Sequence, residues 1–190
     1  LLNFFKGKMK TIGVEPTFAS KDAKICGHKV FSNYFDEKIA IKIKKETRGK
    51  LRLITFTNVF AHITNFKKLV KSLNIILNPN TILVIENHYL GSILKNNQFD
   101  TFYSEHPRTY SFKSFKYIAK LLDCKIIKLQ FPSRYGGNIR VFLKKINNNQ
   151  KKEIKFNENF IGSSIFKLQK KMNIWRKKSQ DTLKILRKKK

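Results

Sequence analysis

Side chains able to move protons crowd into one short stretch, Phe99-Asp100-Thr101-Phe102-Tyr103-Ser104-Glu105-His106-Pro107-Arg108-Thr109-Tyr110-Ser111. Loops of this mixture usually carry function. His106 is the natural general base, because an imidazole titrating near pH 6.5 can take up a proton close to neutrality. Glu105 and Tyr103 could orient it or stabilise charge. The same stretch also suits the entry to a helix, with Ser111 capping Phe112 onward, and the two readings are compatible.

Three further segments have the right residue types at the right places. Gly13-Val14-Glu15-Pro16 closes an apolar run with an acid. At the carboxyl end of a strand in a doubly wound sheet, an acid can accept hydrogen bonds from ribose hydroxyls. A charge at a helix N-terminus explains Glu15 equally well. Asn58-Val59-Phe60-Ala61-His62-Ile63 follows a second apolar run at the same edge. Asn58 there can hold a ligand or turn the chain, and His62 can bind or be a satisfied structural residue. Gly136-Gly137-Asn138 would let backbone approach a ligand, or simply connect a hairpin.

The elements that must position these residues alternate along the chain. Short apolar runs predict strands at Lys10 to Glu15, Lys29 to Phe31, Leu51 to Thr57 and Thr81 to Glu86. Helical spacing predicts helices at Phe18 to Ile25, Asp36 to Lys45, Phe66 to Leu77 and Phe112 to Leu122. Pro16 fits a helix start and Gly27 a helix stop. Two last strands, Lys125 to Phe131 and Asn138 to Ile146, lack an intervening helix and predict an antiparallel pair. The expected fold class is α/β, a mostly parallel sheet over residues 1–146. A polar linker, 147–159, then leads to a basic amphipathic helix and tail, 160–190. In that helix Ile161, Ile165, Leu168, Met172 and Trp175 form a stripe that needs a partner surface.

Composition limits the function classes. The 190 residues hold 41 Lys and Arg against 12 Asp and Glu, a net charge of +29. Such a charge would suit a nucleic-acid partner. Yet 34 of the basic residues are Lys and 7 are Arg, alongside 22 Ile, 17 Asn and 17 Phe, the signature of codons rich in A and T. Arg, whose rigid fork fits phosphates and base edges, is scarce, so nucleic acid is not the expected partner. No run approaches the roughly 20 apolar residues of a spanning helix, and no signal peptide opens the chain, so a cytoplasmic protein without membrane contact is expected. Cys26 and Cys124 stand apart, with no metal-ligand spacing.

Taken in order, Gly13-Val14-Glu15-Pro16, Asn58-Val59-Phe60-Ala61-His62, Glu86, the Phe99 to His106 cluster and Tyr135-Gly136-Gly137-Asn138-Ile139-Arg140 resemble class I S-adenosylmethionine-dependent methyltransferases. The likeness is to the sugar C-methyltransferases that act on nucleotide-linked ketosugars. It implies a Rossmann-like sheet, S-adenosylmethionine as cofactor and a nucleotide-sugar acceptor, with no metal required. Glu15, Asn33, Asn58, Val59, Phe60 and His62 would bind the cofactor. Tyr103, Glu105 and His106 would form the catalytic group, with Tyr89, Arg108, Tyr135, Gly136, Gly137 and Asn138 facing the acceptor. His106 would remove the proton alpha to the ketone, and the resulting carbanion would attack the sulfonium methyl in line.

The chain also departs from that family. Tyr103-Ser104-Glu105-His106 stands where members carry Tyr-His-Glu-His, and Tyr135-Gly136-Gly137-Asn138 where many carry His-Gly-Gly-Ser. The family's glycine-rich first strand, zinc-binding cysteine cluster and C-terminal domain have no counterpart in these residues. A fragment of a larger enzyme is therefore expected, with neighbouring segments at both ends. The expected sheet lacks the strand between those ending at Glu15 and Thr57, so S-adenosylmethionine should bind this chain weakly. The alternative is a basic nucleic-acid-binding module or an RNA methyltransferase-like protein, which would show steep salt dependence. A degenerate fold kept for its interaction surface, docking through the basic helix, is a third reading.

Overall fold

A computed structural model describes residues 1–146 and 154–188. Most of the expected linker, residues 147–153, and the last two residues of the tail lie outside the described residues. The chain divides into two compact units, one of residues 1–53 and 65–81, the other of 54–64 and 82–190.

In the first unit, β1 (Ile12–Val14) and β2 (Lys29–Phe31) form a parallel pair in which Gly13 lies opposite Val30. The short α1 (Leu2–Phe5) precedes β1, and α2 (Ala19–Ile25) joins the two strands. The core of this unit is made by α3 (Glu37–Glu46) and α4 (Phe66–Ile76). Ile39, Ala40 and Ile43 of one helix and Leu69, Leu73 and Ile76 of the other are buried at three- and four-residue steps. Each helix starts on a side-chain cap: Asp36 accepts the Ile39 N–H at 2.9 Å, and Asn65 that of Lys68 at 3.0 Å.

The second unit contains a four-stranded sheet of order β3 (Leu53–Thr57), β4 (Ile82–His88), β6 (Asn138–Lys145), β5 (Cys124–Gln130). The expected antiparallel pair β5–β6 is present, with a register shift between Ile126 and Lys128. β6 runs antiparallel to β4 as well, placing Glu86 opposite Arg140 and His88 opposite Asn138. Leu83 and Ile85 of β4, with Ile139, Val141 and Leu143 of β6, are inaccessible to solvent and form the core with α6 (Phe112–Leu121). Ser111 caps α6 as expected, in a reciprocal box with Ser114. Glu158 reinforces this start, accepting the N–H groups of Phe112 at 2.7 Å and Lys113 at 2.9 Å.

The sequence pattern misses α5 (Leu90–Asn96), which follows β4 after a single residue and ends on Asn97 at φ 54. It also ends β4 two residues early. The basic helix is present as α7 (Phe160–Lys188) and touches α5. Of the predicted stripe, Leu168 is buried, while Ile165, Met172 and Trp175 are exposed, Trp175 touching Phe99 with ring centroids 5.2 Å apart. No helix among the described residues is long and apolar enough to cross a membrane.

Candidate active site

Where β3 ends, Asn58 takes a left-handed conformation (φ 54) that reverses the chain, and its N–H donates to the Glu86 carbonyl at 2.8 Å. Asn tolerates this region better than most side chains. The reversal feeds a 3-10 turn, Phe60–His62. Phe60 is fully buried, its ring edge-on to Phe56 and Tyr110, so its side chain packs in the core and does not line a cavity. Val59 is 45% exposed.

The turn delivers His62 to the Phe99 to Ser111 segment, where its Nδ1 lies 2.9 Å from the Glu105 carbonyl. A carbonyl can only accept, so Nδ1 carries the proton and Nε2 keeps its lone pair. His106 is fixed the same way. Its Nδ1 lies 3.2 Å from the Thr101 carbonyl, and its Nε2 lies 3.0 Å from the Tyr103 hydroxyl. The imidazole therefore presents a basic Nε2, and the phenol donates to it. The His62 and His106 rings meet edge-to-face with centroids 4.7 Å apart.

A third imidazole, His88 at the end of β4, stands 5.8 Å from His106 and 5.8 Å from the ring of Tyr135. Burial, with His106 close by, lowers its pKa below the ordinary 6.5, which favours the neutral form at physiological pH. A cavity of about 210 Å³ opens here, lined by Asn58, Asn87, His88, Thr101, His106 and Arg108, together with Ala61, Thr109, Tyr110 and Tyr135. The Arg108 guanidinium is held by the carbonyls of Ile63 and Thr64, which ties the 3-10 turn to the wall. Tyr110, its phenol pushed up to about 12 by burial, donates to the Phe60 carbonyl at 3.1 Å.

The other expected residues have structural contacts. Glu105 holds His62 through its backbone, and its carboxylate is exposed outside the cavity wall. Tyr89 is 5% exposed and packs on Phe131, its phenol pushed up by burial and by Glu158. Gly136 (φ 80) and Gly137 (φ 121) are favoured locally by their positive φ, and a Cβ on Gly137 would also crowd Ser92. Asn138 is buried and donates to Glu86 Oε1 at 2.9 Å and to Asn58 Oδ1 at 3.3 Å. Glu86 Oε2 accepts two N–H groups from Arg140, each at 2.6 Å, so this network fixes the ends of β4 and β6. In the first unit, Glu15 Oε1 accepts the Thr17 N–H at 2.9 Å, the turn-capping role, and Asn33 is exposed. Among the described residues no three His, Cys, Asp or Glu side chains could hold a metal ion.

Sequence reasoning missed Asn87 and His88 because the predicted strand stopped at Glu86. Its signal was present: a strand two residues longer carries both to the carboxyl edge, where ligands bind in such sheets.

Comparison with known proteins bears on the fold and the family. A C-methyltransferase, NovU of Streptomyces niveus, is 31% identical over 94 residues, which are 50% of this chain and 22% of that protein. The chain thus spans about a fifth of the length of the curated relative it matches. A solved S-adenosylmethionine-dependent methyltransferase of Anabaena variabilis is 14% identical and superposes with a TM-score of 0.57, covering 76% of this chain and 72% of that one. A second, from Archaeoglobus fulgidus, is 16% identical with a TM-score of 0.53, covering 76% and 80%. Both share the fold, the Rossmann-like α/β architecture of class I methyltransferases. The family described as a methyltransferase domain matches residues 2–129, through β1 to β5 and every element that shapes the cavity wall except the Tyr135 turn, and the chain belongs to that family.

Proposed function

We propose that the chain serves S-adenosylmethionine-dependent methyl transfer to a carbon of a nucleotide-linked ketosugar, with His106 as general base. One observation carries the reading: the Thr101 carbonyl fixes the His106 tautomer so that Nε2 is basic at the cavity wall. Carbon methylation needs such a base, because a C–H bond must lose its proton before carbon can attack. The relative from Streptomyces niveus is by name a C-methyltransferase.

S-adenosylmethionine, when bound, supplies a methyl group on positively charged sulfur, an electrophile needing no further activation. Asn58, Val59 and His62 would hold it. The His62 side chain fits that role, since its Nε2 can accept a hydrogen bond. Phe60 can offer only its backbone.

The proton alpha to the ketone ends on His106 Nε2. It arrives directly when Tyr103, 47% exposed, turns aside, or through the Tyr103 oxygen as the phenol passes its own proton on. The C–H electron pair moves into the carbonyl to give an enolate, whose carbon would be the nucleophile toward the sulfonium methyl. The neutral His88 imidazole adds no charge of its own to the cavity.

Solvent exchange tests the base without the transfer step. In deuterium oxide the protein should incorporate deuterium alpha to the ketone of a nucleotide-linked ketosugar, followed by mass spectrometry. His106→Ala should slow this by about 10² to 10⁴, and Tyr103→Phe by less. Equal exchange by wild type and His106→Ala would remove the reading.

A further inference from the structure

Two adjacent residues of β4 treat their polar atoms in opposite ways. Glu86 has both carboxylate oxygens matched, one by Asn138 and one by Arg140. Asn87, 1% exposed and paired across the ladder with Ile139, has neither Oδ1 nor Nδ2 bonded to any described residue. A buried amide left with both ends unpaired is costly, and native structures rarely keep one without a role. Asn87 also lines the cavity, together with Asn58, His88 and His106.

We propose that Asn87 reads the acceptor. The amide offers one donor and one acceptor side by side, which suits a carbonyl oxygen next to a hydroxyl, the α-hydroxyketone edge of a sugar. Nδ2 donates to the ketone oxygen, whose negative charge grows as the base withdraws the alpha proton. Oδ1 accepts from the neighbouring hydroxyl. A neutral amide stabilises the developing charge without binding anions in its absence, and a site built to bond both groups rejects an analogue lacking either. The assignment rests on the ketosugar reading for the whole acceptor, but the edge it recognises can be probed separately.

Asn87→Leu replaces the amide by an apolar group of similar shape, and Asn87→Asp keeps the shape while removing the donor. The melting temperature of Asn87→Leu should equal or exceed that of the wild type, because an unpaired amide is removed. Deuterium exchange on the ketosugar should fall about 100-fold in both variants. Saturation-transfer NMR should show wild type favouring hydroxyacetone over acetone, and Asn87→Leu losing that preference. Undiminished exchange in Asn87→Leu overturns the assignment and leaves the general-base reading intact. A marked drop in its melting temperature also overturns it, since the amide then has a structural partner. If wild type exchanges no ketosugar yet prefers hydroxyacetone through Asn87, the ketosugar reading falls and Asn87 stands. Equal saturation by both probes in wild type and variant removes Asn87 from recognition.

Discussion

The two units handle histidine differently. In the first, His28 is 6% exposed and both ring nitrogens are taken, Nδ1 by the Thr11 hydroxyl at 2.6 Å and Nε2 by the Asn3 carbonyl oxygen at 2.5 Å. In the second, His62 and His88 join His106, whose basic nitrogen meets only a phenol on an exposed side chain. His28 is held at both nitrogens within its own unit, whereas the second partner of His106 is a half-exposed phenol that can turn aside and free the lone pair. The polar residues of the first unit are thus spent on structure. Those around the cavity are aimed by backbone carbonyls and left available.

The sharpest way to break the comparison is to remove a partner from the one part of the second unit that is fully matched. Arg140→Leu leaves the Glu86 carboxylate, whose side chain is 3% exposed, without its ion pair. Removing one partner of a buried pair costs about 3 to 5 kcal/mol, and the Arg140 side chain, 33% exposed, puts the expected loss near the lower figure. Urea unfolding should show it as a lower midpoint, and Glu86→Gln in the same background should recover part of it, since the buried charge is then gone. A loss of a few tenths of a kcal/mol would mean that Glu86 reaches water and that the strand ends are held otherwise.

Much of this division was legible in the sequence because strand and helix signals are local. The six strands appear where apolar runs end in Gly, Asn or charge, and Asp36, Asn65 and Ser111 cap helices by the chemistry of their side chains. His106, Tyr103 and His62 were visible as residue types in polar stretches. Their tautomers were not, because these depend on carbonyls of Thr101 and Glu105 that only the folded turn presents. Phe60 and Tyr89 looked like ligand-facing aromatics, and long-range packing put both in the core. Gly136 and Gly137 fit a ligand approach and a hairpin connector equally well, and only the fold shows their positive φ and the nearness of Gln98 and Ser92, about 40 residues distant.

A smaller effect is expected in the first unit. His28→Leu keeps most of the volume but strips two hydrogen bonds whose partners, Thr11 and Asn3, can turn to water. The loss should be about 1 to 2 kcal/mol by thermal or urea unfolding. Deuterium exchange on a ketosugar should be unchanged, because no proton of His28 takes part. A His28→Leu protein that folds well but loses exchange would end the distinction between held and available histidines.

The smallest effect separates the units by pH. Glu46 ends α3, where an acid opposes the helix dipole, and Lys10 at 2.7 Å and Lys29 at 2.9 Å offset this. Their hydrogen bonds and charge hold its pKa at about 2 against an ordinary 4.5. The folded pKa is the lower one, so this contribution is complete above pH 4.5 and disappears as the pH falls through about 2. His88 works in another window. Its lowered pKa means that the unfolded chain takes up the proton first, so stability declines as the pH falls below 6.5. Glu46→Gln should flatten the acid slope only below pH 4.5, and added salt should shrink the wild-type slope there because the pair is exposed. His88→Gln should flatten the slope only near and below pH 6.5, where salt acts less on a group shifted mainly by burial. A single variant that removed both slopes would show the two windows to be one transition, and the electrostatic separation of the units would be lost.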